Sequence, residues 1–98
     1  MARRVRYHPL FNCDVIQAAN WYDDRAAGLG DAFSTNARIA AESVIADPER
    51  FGRTHVGLRY ARVERFPYIV IFDLTDSDLL LLGVLHTARS IEKWRQDR

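Results

Sequence analysis

Three consecutive segments in the C-terminal half set the architecture: YIVIFDL (residues 68–74), TDSD (75–78) and LLLLGVLHT (79–87). The two outer segments are apolar and rich in residues that favour strands, and the polar residues between them are typical of a hairpin turn. Neither segment alternates polar with apolar residues. A half-solvated antiparallel hairpin would show that alternation, so both faces of this hairpin are expected to need apolar cover.

Strict alternation of side chains assigns each residue of the hairpin to a face. Ile69 and Ile71 are expected to oppose their neighbours Tyr68, Val70, Phe72 and Leu74. In the second strand, Leu80, Leu82 and Val84 are expected to oppose Leu79, Leu81 and Leu85. His86 would then share a face with Leu82 and Val84.

Two helices are predicted upstream of the hairpin. Apolar residues recur at helical spacing between Phe11 and Ala26, with Asn12 as the expected N-cap. A second helix is expected after the break at residues 28–30, with Asp31 as its cap and its end at Asp47-Pro48. Its apolar stripe comprises Phe33, Ala37, Ala40, Ala41 and Val44.

Shorter elements complete the predicted order. Val5 and Tyr7 alternate with arginines, which predicts a strand with one buried face. Residues 58–65 are expected to form a further strand, and residues 90–96 a short helix capped by Ser90. The sequence therefore predicts a single α+β domain over residues 1–98, in the order β-α-α-β-β-β with a C-terminal helix.

Composition narrows the functional classes. The 98 residues are 48% hydrophobic, which suits one globular domain, and no apolar run reaches the length of a membrane helix. Cys13 is the single cysteine, so the cytoplasm is the expected compartment. No phosphate loop, dinucleotide fingerprint or metal-ligand spacing is present, so neither a cofactor nor a metal is expected.

Charge is unevenly distributed along the chain. The formal net charge is +1, yet residues 50–65 contain five arginines and one acid, Glu64. The arginines are Arg50, Arg53, Arg59, Arg62 and Arg65. This concentration indicates either an anionic partner, a nucleic acid or an acidic protein segment, or simply a solvated basic strand and loop.

The two-sided apolar hairpin also predicts a protein partner. The helix pair can shield one face of the sheet, and the short C-terminal helix is expected to leave part of the other face open. A residual apolar patch is typical of a binding surface. A partner helix in a groove, a strand added at the sheet edge, or a homodimer would each cover it.

Three motifs carry a family resemblance: GLRYAR (residues 57–62), FPYIVIF (66–72) and VLHTAR (84–89). In this order and spacing they resemble the C-terminal half of the RelE/ParE toxins of bacterial type II toxin–antitoxin systems. The helix pair and the N-terminal strand fit the same family. The resemblance implies two helices packed on a small, curved antiparallel sheet, and a cognate antitoxin that neutralises the toxin.

The resemblance leaves the target open, because RelE-like members cleave mRNA on the ribosome and ParE-like members inhibit DNA gyrase. A nuclease would use His86, Arg89 and Arg62, with Glu64 as a possible base. The sole lysine, Lys93, and the lack of a tyrosine after the last strand favour the ParE-like, plasmid-stabilisation side. An inactive antitoxin-binding partner is a third possibility.

Several residues are expected to contact the target or the antitoxin: Arg59, Arg62, Arg65, Tyr68, Arg89 and Trp94. Each also has a structural interpretation. The arginines could pair with nearby acids such as Glu64, and Trp94 could be a packing anchor for the tail.

Overall fold

The computed structural model describes residues 3–98 and confirms the α+β class and the element order. The elements are β1 (Arg4–Tyr7), α1 (Phe11–Asp23), α2 (Leu29–Ala46), a 3₁₀ turn (Pro48–Arg50), β2 (Arg59–Arg62), β3 (Tyr68–Leu74), β4 (Asp78–His86) and α3 (Ile91–Arg95). Within these residues, none of the helices combines the length and the hydropathy needed to cross a membrane.

The strands form one sheet in the order β1-β4-β3-β2. β3 pairs antiparallel with β2 and β4, as expected, whereas β1 runs parallel to β4. The sheet is therefore mixed. Two helices and the strands β2 and β3 separate β1 from β4 along the chain, and a connection of this length allows parallel pairing. β1 pairs with only the first half of β4, from Arg4 opposite Asp78 to Tyr7 opposite Leu81.

The helix hairpin packs on one face of the sheet through the predicted α2 stripe, which is buried. Both predicted N-caps are wrong. α1 begins at Phe11, before Asn12, and α2 begins at Leu29 after Gly28, whose φ of 87° suits glycine. Asp31 lies inside the first turn of α2, where the helix dipole favours a carboxylate.

β1 is an exposed edge strand. The expectation of a buried face is wrong, since Val5 and Tyr7 are 41% and 50% exposed. The helices cover the middle of the sheet and leave this edge open.

β2 is also shorter than predicted, because the chain turns away after Arg62 and Arg65 adopts a left-handed φ of 72°.

Apolar side chains cover both faces of the sheet. On the side away from α1 and α2, Ile71, Leu82 and Leu85 are buried beneath Ile91 and Trp94 of α3 and Leu58 of the preceding loop. The tail and Leu58 therefore bury the centre of this face, whereas Ile69 and Leu80 on the same face remain only partly buried. Trp94 of α3 and Leu58, which lies in the loop before β2, provide much of the apolar cover.

A β-bulge changes the face assignment within β4. Ile71 lies opposite Gly83 but Phe72 lies opposite Leu81, so Leu82 is an extra residue in the ladder. The predicted grouping is correct up to Leu82 and wrong from Val84 onward: Val84 packs with the helices, and Leu85 packs with α3. His86 shares its face with Val84 but not with Leu82.

Substitution of the two tryptophans tests whether α3 stabilises the outer face of the sheet, the face away from α1 and α2. Trp94 is 7% exposed and Trp21 is 50% exposed. We expect Trp94→Ala to lower the free energy of unfolding by about 3 kcal/mol, because it uncovers β3 and β4 and leaves a cavity. Trp21→Ala is the matched control and should cost less than about 1 kcal/mol. Urea unfolding curves of both variants check this, and equal losses would contradict the packing described.

Candidate functional site

Among residues 3–98, no strand pairs with the edge of β4 beyond the end of β1. Side chains occupy its main-chain groups instead. Asp14 of α1 accepts a hydrogen bond from the Val84 N–H through Oδ2 (2.9 Å). The Arg98 guanidinium donates to the Leu82 carbonyl (3.0 Å) and to Asp14 Oδ1 (2.7 Å). Asp14 and Arg98, called the Asp14–Arg98 joint below, thus provide hydrogen-bond partners for the main chain at Leu82 and Val84, on either side of Gly83.

The joint is largely buried, with the side chains of Asp14 and Arg98 only 15% and 7% exposed. The Arg98 guanidinium also lies 4.4 Å from the centre of the Trp94 ring. Gly83 makes this close approach possible: a Cβ there would lie 2.6 Å from Trp94 Cζ2 and 2.7 Å from Arg98 Nη1. Sequence reasoning missed the pair, because its partners are 84 positions apart and no local pattern connects them.

An open cleft of ≈ 990 Å³ lies beside this joint. α1 forms one wall, and the end of β4 with the segment leading into α3 forms the other. The polar and aromatic side chains along it include Trp21, Tyr22, Tyr68, His86, Arg89 and Lys93. The structure thus brings together four residues that the sequence singled out: Tyr68, His86, Arg89 and Trp94.

Tyr68 connects the two walls of the cleft. Its ring meets the His86 ring edge-on at 5.0 Å and contacts the Tyr22 ring at 6.2 Å. Burial raises the pKa of the Tyr68 phenol above its ordinary value, and Tyr22 adds to the rise, while the nearby Arg89 charge opposes it. Tyr68 is therefore a neutral hydrogen-bond donor at physiological pH.

The His86 ring is oriented by its own backbone turn. Its Nδ1 accepts a hydrogen bond from the Ala88 N–H at 3.0 Å. Nδ1 therefore carries no proton in this arrangement, and the proton of the neutral ring is on Nε2. In this tautomer His86 offers an Nε2–H hydrogen-bond donor to the cleft.

The other predicted site residues lie elsewhere. Arg62 and Glu64 line a second cavity between α2 and β2, so the predicted catalytic set of His86, Arg89 and Arg62 is not assembled in one cavity. Arg59 is engaged by the carbonyls of Glu49 and Phe51, at 3.3 and 2.7 Å. Arg65 is exposed in the turn between β2 and β3.

Trp94 contributes to the structure as well as to the cleft. It is buried in the outer apolar cluster and also lines the cleft beside Arg98. Across residues 3–98, no group of three or more side chains with metal-ligating atoms is placed to hold an ion.

Gly83 offers a test of the joint. We expect Gly83→Ala to lower the free energy of unfolding by about 2 kcal/mol, because the added methyl group displaces Arg98 and Trp94. Gly52→Ala is the control, since a Cβ there meets nothing closer than 3.7 Å. Chemical unfolding of both variants gives the comparison, and a neutral Gly83→Ala would refute the packing proposed for the joint.

Arg89 should control the titration of Tyr68. Because its positive charge lowers the pKa of the phenol, Arg89→Gln is expected to raise that pKa further above its ordinary value. Ultraviolet titration of tyrosinate, taken as the difference from the matching Tyr68→Phe protein, isolates this residue. Arg38→Gln, on α2 beside Glu42, is the control and should cause no change. An unchanged Tyr68 titration in Arg89→Gln would place Arg89 away from the phenol.

A comparison with protein-family models found no match, and a comparison with curated proteins found none either. Solved structures do match. A chain of the chromosomal ParDE TA system from P. aeruginosa is 13% identical and superposes with a TM-score of 0.77, over 87% of this chain and 96% of that one.

Two further matches cover similar shares. One is a chain of the E. coli DinJ-YafQ toxin-antitoxin complex, at 20% identity and a TM-score of 0.62, over 90% of this chain and 96% of that one. The other is a chain of the archaeal RelE-RelB complex from Pyrococcus horikoshii OT3, at 19% identity and a TM-score of 0.54, over 92% and 100%. The chain therefore has the fold of the RelE/ParE toxins.

Proposed function

We propose that the chain is the toxin of a type II toxin–antitoxin pair, which inhibits growth in the cytoplasm when free and is neutralised by a cognate antitoxin. The fold supports this proposal, since its structural neighbours come from three toxin–antitoxin systems and match between 87% and 92% of the chain. The antitoxin is a protein partner. No membrane or cofactor enters the proposal.

We further propose that the toxin acts by binding DNA gyrase and not by cleaving mRNA. The observation that carries this choice is the orientation of His86. Cleavage through a ribose hydroxyl needs one group that removes a proton and another that donates one. With Nδ1 held by the Ala88 N–H, His86 presents a proton at Nε2 and no free nitrogen to take one up.

The positions of the charged residues support the same choice. Phosphoryl chemistry needs cations gathered around the developing charge. Here Arg62 and Glu64 line a different cavity from His86 and Arg89, and Arg59 is occupied by two main-chain carbonyls. The cleft retains Arg89 beside aromatic side chains, and both residue types are enriched at protein-binding surfaces.

Two His86 variants separate the mechanisms. Glutamine retains an N–H donor without acid–base chemistry, and alanine has neither. For a gyrase-binding toxin we expect purified His86→Ala to lose most inhibition of DNA supercoiling, and His86→Gln to retain a substantial part. A nuclease would lose activity equally in both, because neither side chain transfers a proton.

Growth on induced expression and primer extension on cellular mRNA complete the test. Growth arrest, loss of supercoiling and intact mRNA are the expected results. Codon-registered mRNA cuts would instead support the ribosome-dependent endoribonuclease. The absence of toxicity, supercoiling inhibition and cleavage together would leave an inactive antitoxin-binding partner.

A further inference from the structure

We propose that the groove between α2 and β2 is a docking surface for an acidic segment of a protein partner that carries a large apolar residue. This α2–β2 groove has a volume of ≈ 470 Å³, and its lining includes Ile39, Arg50, Phe51, Tyr60, Arg62 and Glu64. It is separate from the cleft that contains His86. Under the proposed function this partner is the cognate antitoxin; the docking chemistry itself does not rest on that function.

The apolar part of the groove suits a single inserted side chain. Ile39 is 48% exposed although it lies next to the buried Ala40 and faces the same groove as the buried Ala61. An apolar side chain of a partner that enters the groove would bury itself and Ile39 away from water, and this burial favours binding.

The charged residues around the apolar part of the groove favour an acidic partner. Within residues 3–98, neither Arg50 nor Arg62 forms an ion pair, and both residues line the groove. The partly buried Arg59 lies outside the groove lining, where the carbonyls of Glu49 and Phe51 hold its guanidinium. Glu64 is the single acid that lines the groove. Carboxylates of a partner could therefore form charge-assisted hydrogen bonds with two arginines that have no ion-pair partner among the described residues.

Peptide is favoured over nucleic acid because the aromatic faces are already occupied. The Arg50 guanidinium lies 4.2 Å from the centre of the Phe51 ring, and Phe72 meets the same ring edge-on at 6.0 Å. The ring of Tyr60 lies against Gly52. Single-stranded nucleic acid binding relies on free aromatic faces and on a strongly positive surface, whereas this chain has a net charge of only +1.

Selection from a library of 12-residue peptides displayed on phage, against the immobilised full chain, tests the proposal. We expect the enriched peptides to carry at least two acidic residues beside a large apolar residue. Synthetic copies should bind the Arg50→Gln/Arg62→Gln variant about tenfold or more weakly. Arg6→Gln/Arg38→Gln removes the same charge elsewhere on the surface and should bind them like the unaltered chain. Ile39→Asp should also weaken binding, which checks the apolar contact independently.

Three outcomes would overturn the proposal: no enriched peptide, enriched peptides without acidic residues, or affinity that survives loss of both arginines. A fluorescent single-stranded RNA that binds through the same arginines, and that the peptides do not displace, would also overturn it. Circular dichroism checks that each variant is folded. Growth assays report on the proposed toxin function separately, so a chain without toxicity could still bind the peptides, and a toxic chain could fail to bind them.

Discussion

The open edge of β4 is the constraint around which this small fold is arranged. β1 pairs with the first half of β4 and ends at Tyr7, which leaves the Leu82 carbonyl and the Val84 N–H without strand partners. A buried pair, Asp14 with Arg98, takes both groups. It thereby connects the first turn of α1, the middle of β4 and the C-terminal tail, and it holds Trp94 over the outer face. Without hydrogen-bond partners, these buried main-chain groups would lower the free energy of unfolding. The Asp14–Arg98 ion pair stabilises the fold because it supplies those partners.

The bulge beside this joint determines which side chains line the cleft. One extra residue at Leu82 shifts the alternation, so that Val84 and His86 lie on the helix side, and His86 meets Tyr68 there. Without the bulge, His86 would have shared the face of Leu82, beneath α3. A local backbone irregularity therefore assembles the candidate site, and the hydrogen bond from Ala88 then fixes how the histidine ring is presented.

Covering the outer face changes where a partner is expected. The apolar hairpin does need cover on both faces, but α3 and Leu58 supply it within the chain. The two surfaces that we propose for partners, the cleft along α1 and the α2–β2 groove, differ in chemistry. The cleft combines hydrogen-bond donors with aromatic rings, and the groove combines an exposed isoleucine with unpaired arginines. The proposed function would therefore place the target and the antitoxin on different residues of the chain.

Local patterns were sufficient for much of this protein. The apolar segments, the turn at residues 75–78, the α2 stripe and the Ser90 cap of α3 all follow from interactions between residues near one another in sequence, and the structure contains each of them. The parallel placement of β1, the bulge, the Asp14–Arg98 pair and the separation of Arg62 from His86 do not. Three of these features depend on contacts between segments that are distant in sequence. The bulge depends on one extra residue, Leu82, after which each side chain of β4 points to the opposite face from the one predicted. The periodicity of apolar residues along the chain reports neither effect.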